Sequence, residues 1–169
     1  MTSRETGRRD QEEESIDFKL IELLFFAYRD FTSDPDAILA RYGFGRAHHR
    51  VLHFVNRRPG LTVAELLEVL RITKQSLARV LKQLIDTGYI VQVQGPRDRR
   101  QRELYVTEKG HALALALALP QSRRIDAALR EAGVTDRGVL ERFLKAMVDP
   151  ELREQLARNG RPSDGRTSK

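Results

Sequence analysis

The chain contains no cysteine. That excludes a disulfide, a thiolate metal site and a redox-sensing thiol. Its 169 residues hold no apolar run long enough for a signal peptide or a membrane span, so a soluble, cytoplasmic protein without a membrane partner is expected. There is no glycine-rich phosphate loop, no nucleophile motif and no pair of acids near the histidines. Nothing points to an enzyme, and no cofactor is expected. His49 and His53 stand at i, i+4, a spacing that can bring two imidazoles to one metal. No acid lies between Arg46 and Asn56 to complete such a shell. Structural or pocket-lining histidines are therefore expected rather than metal ligands.

What is present is positive charge, unevenly placed. The formal net charge is +6. From Arg46 to Lys109 there are thirteen Lys or Arg against six Asp or Glu, so the excess of the whole chain resides in that window. A basic lobe of this kind binds a polyanion, and duplex DNA is the expected one.

The stretch Leu61 to Gly110 says how. Thr62 and Glu65 form a capping box that opens a short helix through Val69. Thr73 occupies an N-cap position and Gly88 a C′ position. Between them Leu77, Val80, Leu81, Leu84 and Ile85 recur at helical spacing and define a buried stripe. Gln75, Arg79, Lys82 and Gln83 fall on the opposite side, with Ser76 at its edge and Lys74 in the first turn. These donors suit phosphates and base edges. Two short helices joined by a tight turn, the second with a basic-amide face, is the helix-turn-helix arrangement for reading a major groove.

A β-hairpin follows. Tyr89 to Gln94 and Glu103 to Thr107 alternate apolar and polar residues around the tip Gly95-Pro96-Arg97-Asp98-Arg99-Arg100-Gln101-Arg102. Four arginines on one loop suit a narrow minor groove, where the potential is most negative. Asp98 among them can hold a guanidinium through a bidentate pair rather than touch DNA. The fold expected is mainly α with a small β-hairpin wing: a winged helix-turn-helix.

Asp98-Arg99-Arg100, followed by Leu104, Val106-Thr107 and Gly110, resembles the wing signature of the MarR family of bacterial transcription regulators. That signature is D-x-R, five residues, a Leu-Thr pair, then a Gly three residues after the Thr. Val106 replaces the usual Leu, a conservative exchange in a strand. The resemblance extends from about Ser15 to Leu156. It implies that N- and C-terminal helices of two chains interlock as a homodimer and hold two winged lobes apart on a palindromic operator. Half-sites would then lie about one helical turn, ~34 Å, apart. It also implies release by a small-molecule effector, often aromatic or phenolic, in a cleft among Phe26, Arg29, His48, Leu52 and His111. The cysteine-based peroxide sensing of some relatives is not open to this chain.

The flanks are read accordingly. Residues 1–14 form a disordered tail ending in Glu12-Glu13-Glu14, and 15–157 the domain, with 15–45 and 111–157 as dimerisation segments around the winged core 46–110. Ser15 to Phe31 is a helix with two apolar faces: Ile16, Leu20, Leu23, Leu24 and Ala27 on one, Phe18, Ile21, Phe25 and Tyr28 on the other. A monomer's surface helix needs one stripe. Two suggest packing between its own domain and a partner. Asp34-Pro35 should end it in a connection with a short helix near 38–42, before a helix from Arg46 to Arg57. Thr107 should cap a long helix to about Ala132, despite the Ala–Leu alternation of 112–119, with Pro120 kinking or interrupting it. Asp136 caps another helix, Asp149-Pro150 breaks it, a turn or two follows, and 158–169 is a disordered basic tail.

The DNA-binding residues expected are Thr62, Thr73, Lys74, Gln75, Ser76, Arg79, Lys82, Gln83, Arg97, Asp98, Arg99, Arg100 and Arg102. Arg100 is the expected minor-groove residue, and Thr62 and Thr73 could donate to phosphate from helix N-termini, though capping alone would account for both. The function expected is a sequence-specific regulator, and more specifically a repressor. The alternative is a non-specific architectural or protein-interaction winged helix, which fold alone does not exclude.

Overall fold

The computed structural model describes residues 15–96, Asp98 and residues 100–159. The tail at 1–14, residues 160–169 and the wing residues Arg97 and Arg99 lie outside the described residues. The elements run α1 (Phe18–Ala40), α2 (Arg46–Arg57), β1 (Leu61–Thr62), α3 (Val63–Leu70), α4 (Lys74–Asp86), β2 (Ile90–Gln94), β3 (Arg102–Val106), α5 (Glu108–Glu131), α6 (Arg137–Met147) and α7 (Pro150–Asn159). This is a mainly helical chain with a small antiparallel sheet. The tail boundary expected at 158 falls inside α7.

The core is built from one face of each central element. Val51, Leu52 and Val55 of α2, Leu66 of α3, Leu77, Val80 and Leu84 of α4, Ile90, Leu104 and Leu117 are all sealed from solvent. The sheet order is β1-β3-β2. Ile90 pairs with Val106 and Gln94 with Arg102, as the alternation requires. The third strand was not legible: Leu61 and Thr62 add themselves to β3 opposite Leu104 and Glu103. That pairing brings the start of the helix-turn-helix onto the root of the wing.

α1 departs from expectation at its C-terminal end. The helix does not stop at Phe31 but runs through Asp34-Pro35 to Ala40. Pro35 cannot donate to the Phe31 carbonyl four residues back. The Gln121 Nε2 group of α5 donates to that carbonyl instead, at 3.2 Å. Thr32, whose hydroxyl donates to the Tyr28 and Arg29 carbonyls, is buried beside it with Pro35 and Leu39. α1 is thus anchored on α5 by its last three turns.

Its first half carries no buried residue. Leu20 is 63% exposed and Phe25 69%, and Phe18, Ile21, Leu23, Leu24 and Tyr28 are exposed as well. The expectation that one stripe packs on the home domain is corrected: both stripes are uncovered. Val139, Phe143, Leu144 and Met147 of α6 are likewise exposed, and α6 has no buried residue.

The Ala–Leu run is helical, as the propensities demand, with Leu113, Ala114 and Leu117 buried in α5 and Leu115 and Leu119 turned out. Pro120 lies inside α5 without ending it. Among the described residues no helix is long and apolar enough to cross a membrane.

Candidate nucleic-acid interface

α3 starts where the Thr62 hydroxyl accepts from the Glu65 amide at 3.2 Å and the Glu65 carboxylate accepts from the Thr62 amide at 2.8 Å. The Thr62 hydroxyl proton also goes to Glu65, at 2.8 Å. The Thr62 hydroxyl is thus committed to the cap on both its donor and acceptor sides. α3 ends on Arg71, a non-glycine residue in the left-handed region at φ 50°. This backbone reversal makes the turn between the two helices tight. Thr73 then caps α4, accepting from the Ser76 amide at 3.1 Å while its hydroxyl donates to the Ser76 hydroxyl at 3.0 Å.

The buried stripe Leu77, Val80, Leu81 and Leu84 fixes which side of α4 faces out. Lys74, Gln75, Ser76, Arg79, Lys82 and Gln83 are all exposed there. The structure therefore brings six of the expected residues onto one convex face. Three are engaged locally, Ser76 with the Thr73 cap as described. Lys82 Nζ pairs with Asp86 one turn on, a surface bridge of small worth that phosphate can replace. Gln83 Oε1 lies 2.8 Å from His48 Nε2 on α2, a link spanning 35 positions that the sequence did not disclose.

In the wing, Gly95 N–H donates to the Gln101 carbonyl at 2.9 Å, closing the hairpin. A Cβ at Gly95 would come within 3.1 Å of the Asp98 carbonyl oxygen, so a side chain there would make the loop give by a few tenths of an ångström. Asp98 Oδ1 accepts from the Arg100 amide at 2.9 Å. Among the described residues its carboxylate holds main chain rather than a guanidinium, so it shapes the loop as an Asx turn. Arg100 and Arg102 are exposed. At the wing root Tyr105 donates to Glu103 Oε2 at 2.8 Å, and this bond, with burial second, raises the phenol above its ordinary pKa.

The remainder of the wing motif ties the hairpin to α4. Thr107 donates its hydroxyl proton to the Gly88 carbonyl at 2.7 Å, and its oxygen accepts from the Gly110 amide at 3.0 Å as the N-cap of α5. Lys109 Nζ reaches the Thr87 carbonyl at 2.9 Å and lies 4.2 Å from the centre of the Tyr89 ring. A cation on the last carbonyls of α4 complements that helix end.

His48 stacks on Phe44, ring centroids 4.7 Å apart. His111 Nδ1 lies 2.7 Å from Asn56 Oδ1. Half-buried His49 has its pKa lowered first by burial and then by His53. No group of three or more potential metal ligands forms among the described residues. The residues expected to line an effector cleft are dispersed in role: Leu52 is sealed in the core, His48 faces α4, and Phe26 carries the Arg29 guanidinium on the open side of α1. A groove of about 600 Å³ lies elsewhere, between α1 and α5, walled by Asp34, Ile38, Leu119, Pro120, Arg123 and Arg124.

A family model described as MarR family matches residues 42–101, which run from the α1–α2 turn into the wing. The HTH-type transcriptional regulator PetP of Rhodobacter capsulatus is 52% identical over 135 residues, covering 80% of this chain and 81% of that protein. The chain belongs to the MarR family. Solved MarR structures share its fold: the MarR protein of Peptoclostridium difficile superposes with a TM-score of 0.67 at 19% identity, covering 85% of this chain and 94% of that one. A mutant MarR from E. coli, complexed with operator DNA, superposes at 0.59 and 21% identity, covering 78% and 95%. Membership makes this chain a DNA-binding transcription regulator of the winged helix-turn-helix type, and not an enzyme.

Proposed function

We propose that this MarR-family chain acts as a homodimer that binds a palindromic operator sequence-specifically and represses transcription from it. α4 enters the major groove with Gln75, Ser76, Arg79, Lys82 and Gln83, while Lys74 and Thr73 face phosphate at its N-terminus. Arg97, Arg99, Arg100 and Arg102 follow the adjacent minor groove, with Asp98 shaping the loop that carries them. Release by a small-molecule effector belongs to the same reading; the α1–α5 groove, apolar with two arginines at its wall, is the cavity that supports it.

The observation that carries the dimer is the uncovered α1. Eight large apolar side chains from Phe18 to Tyr28 are exposed on a single chain, with four more on α6. Exposed apolar surface of this extent marks an interface, and interfaces of obligate dimers bury roughly 2,000 Å² or more. Sedimentation equilibrium tests it. The wild-type chain should run at twice its 19.4 kDa mass. Phe25→Glu, on the helix but far from α4 in sequence, should yield monomer and lose operator affinity together, because two half-sites are then no longer linked. A wild-type monomer that binds a full operator tightly would refute the dimer.

A further inference from the structure

The inference concerns how Gln83 reads DNA, and it rests on the regulator reading above. His48 is bound on both ring nitrogens. The Gly45 amide donates to Nδ1 at 3.1 Å. An N–H can donate only to an unprotonated nitrogen, so in the neutral ring the proton sits on Nε2. Nε2 is therefore a donor, and the Gln83 atom 2.8 Å from it has to be the acceptor, the carbonyl oxygen. Stacking holds the plane of the ring, and a half-turn within that plane would take both nitrogens off their partners. The ring lies nearly parallel to Phe44, at an interplanar angle of 11°, and Phe44 is buried and packed edge-on to Tyr89.

The consequence falls on the free end of the amide. Gln83 is exposed on α4, its Oε1 is turned to His48 on α2, and its NH₂ group has no partner among the described residues. A free glutamine pairs with adenine by using both ends, accepting from N6 and donating to N7. The carbonyl oxygen keeps a second lone pair, so Gln83 can still pair in that way, but only in the one orientation that His48 allows. We propose that His48 is a positioning residue for DNA recognition. It fixes the Gln83 amide with its oxygen toward α2, so that the orientation in which Gln83 meets a base edge is set by α2 as well as by α4.

The test is a double-mutant cycle read as base preference. Three variants are compared with wild type by selection from a randomised duplex pool and by titration of the selected operator: His48→Asn, Gln83→Ala and both together. Asn keeps an acceptor for the Gly45 amide but is too short to reach Gln83, so the start of α2 survives. Gln83 is exposed, and its truncation leaves the core intact. Each single variant should lose about 2- to 12-fold in operator affinity, the range of one hydrogen bond, and should flatten the preference at the same base pair. The double variant should be no worse than Gln83→Ala alone, since His48 acts only through that amide.

Multiplying losses in the double variant would overturn the inference. So would a Gln83→Ala profile identical to wild type, or a His48→Asn profile that changes at a different base pair. If wild type itself selects no sequence, the regulator reading fails first and takes this inference with it.

Discussion

The backbone of Gly110 lies directly against the carbonyl of Tyr89, so that a Cβ at position 110 would overlap the carbonyl oxygen and carbon. The last residue of the wing motif thus has a steric reason: α5 can sit on the end of α4 only where no side chain intervenes. Gly110→Ala must push α5 away and break the Thr107–Gly88 and Lys109–Thr87 bonds with it. Overpacking of this kind costs about 1–3 kcal/mol, sometimes more. Chemical denaturation should show the midpoint fall, with operator affinity falling too because the wing is re-aimed. An unchanged midpoint would mean the junction is softer than its geometry implies.

Pro35 and Gln121 form a second pair whose logic can be tested by restoring what proline removed. Gln121→Leu strands the partly buried Phe31 carbonyl, a loss of about 1–3 kcal/mol for an unsatisfied group. In a Pro35→Ala background the new amide can bond Phe31 directly, and Gln121→Leu should then cost little. Urea titrations of the four chains give the coupling. Equal costs of Gln121→Leu in both backgrounds would show that the glutamine does something other than replace the missing donor.

For the wing, Asp98→Asn retains an oxygen for the Arg100 amide, whereas Asp98→Ala does not. If the residue shapes the loop, Asn should bind operator nearly as well as Asp, and Ala should bind several-fold worse, about one hydrogen bond's worth. If its charge is what holds an arginine, Asn and Ala should be equally impaired. Arg100→Ala should lower the log–log salt slope of operator binding by about 0.9, the loss of a single phosphate-neutralising contact.

His49 supplies a pH dependence. Its pKa is lowered in the fold, chiefly by burial and next by His53, with Asp36 opposing. The unfolded chain then takes up a proton at a pH where the native state does not, so stability rises with pH in that window. Moving down from pH 7.5, the stabilisation present above the ordinary histidine pKa of about 6.5 should be lost as pH falls through the lower folded value. Thermal midpoints between pH 7.5 and 5.5 should fall for wild type and fall less for His49→Gln. Parallel curves would remove His49 from the account.

Much of this could be read from local pattern, because the responsible forces are local. α2 begins and ends at Arg46 and Arg57 as its apolar period and Pro59-Gly60 dictate, and α4 lies between its Thr73 cap and Gly88, whose φ is +80°. What escaped was non-local. α1 survives Pro35 only because Gln121, ninety positions away, replaces the missing donor. β1 is two residues long and exists through its pairing with β3. Gln83 reads as a free surface amide until α2 brings His48 to it, and the bond from the Arg100 amide to Asp98 forms only as the loop closes. The apolar faces of α1 were legible as a pattern, but their complete exposure could appear only once the chain had packed everything else.

The central claim is sequence-specific binding by two linked lobes, and selection from a randomised duplex pool at physiological salt tests it most directly. The account expects one palindrome, half-sites a helical turn apart, preferred over random DNA by ~10³ or more. Salt-sensitive binding that enriches no sequence would contradict it, leaving a winged helix that grips DNA without reading it.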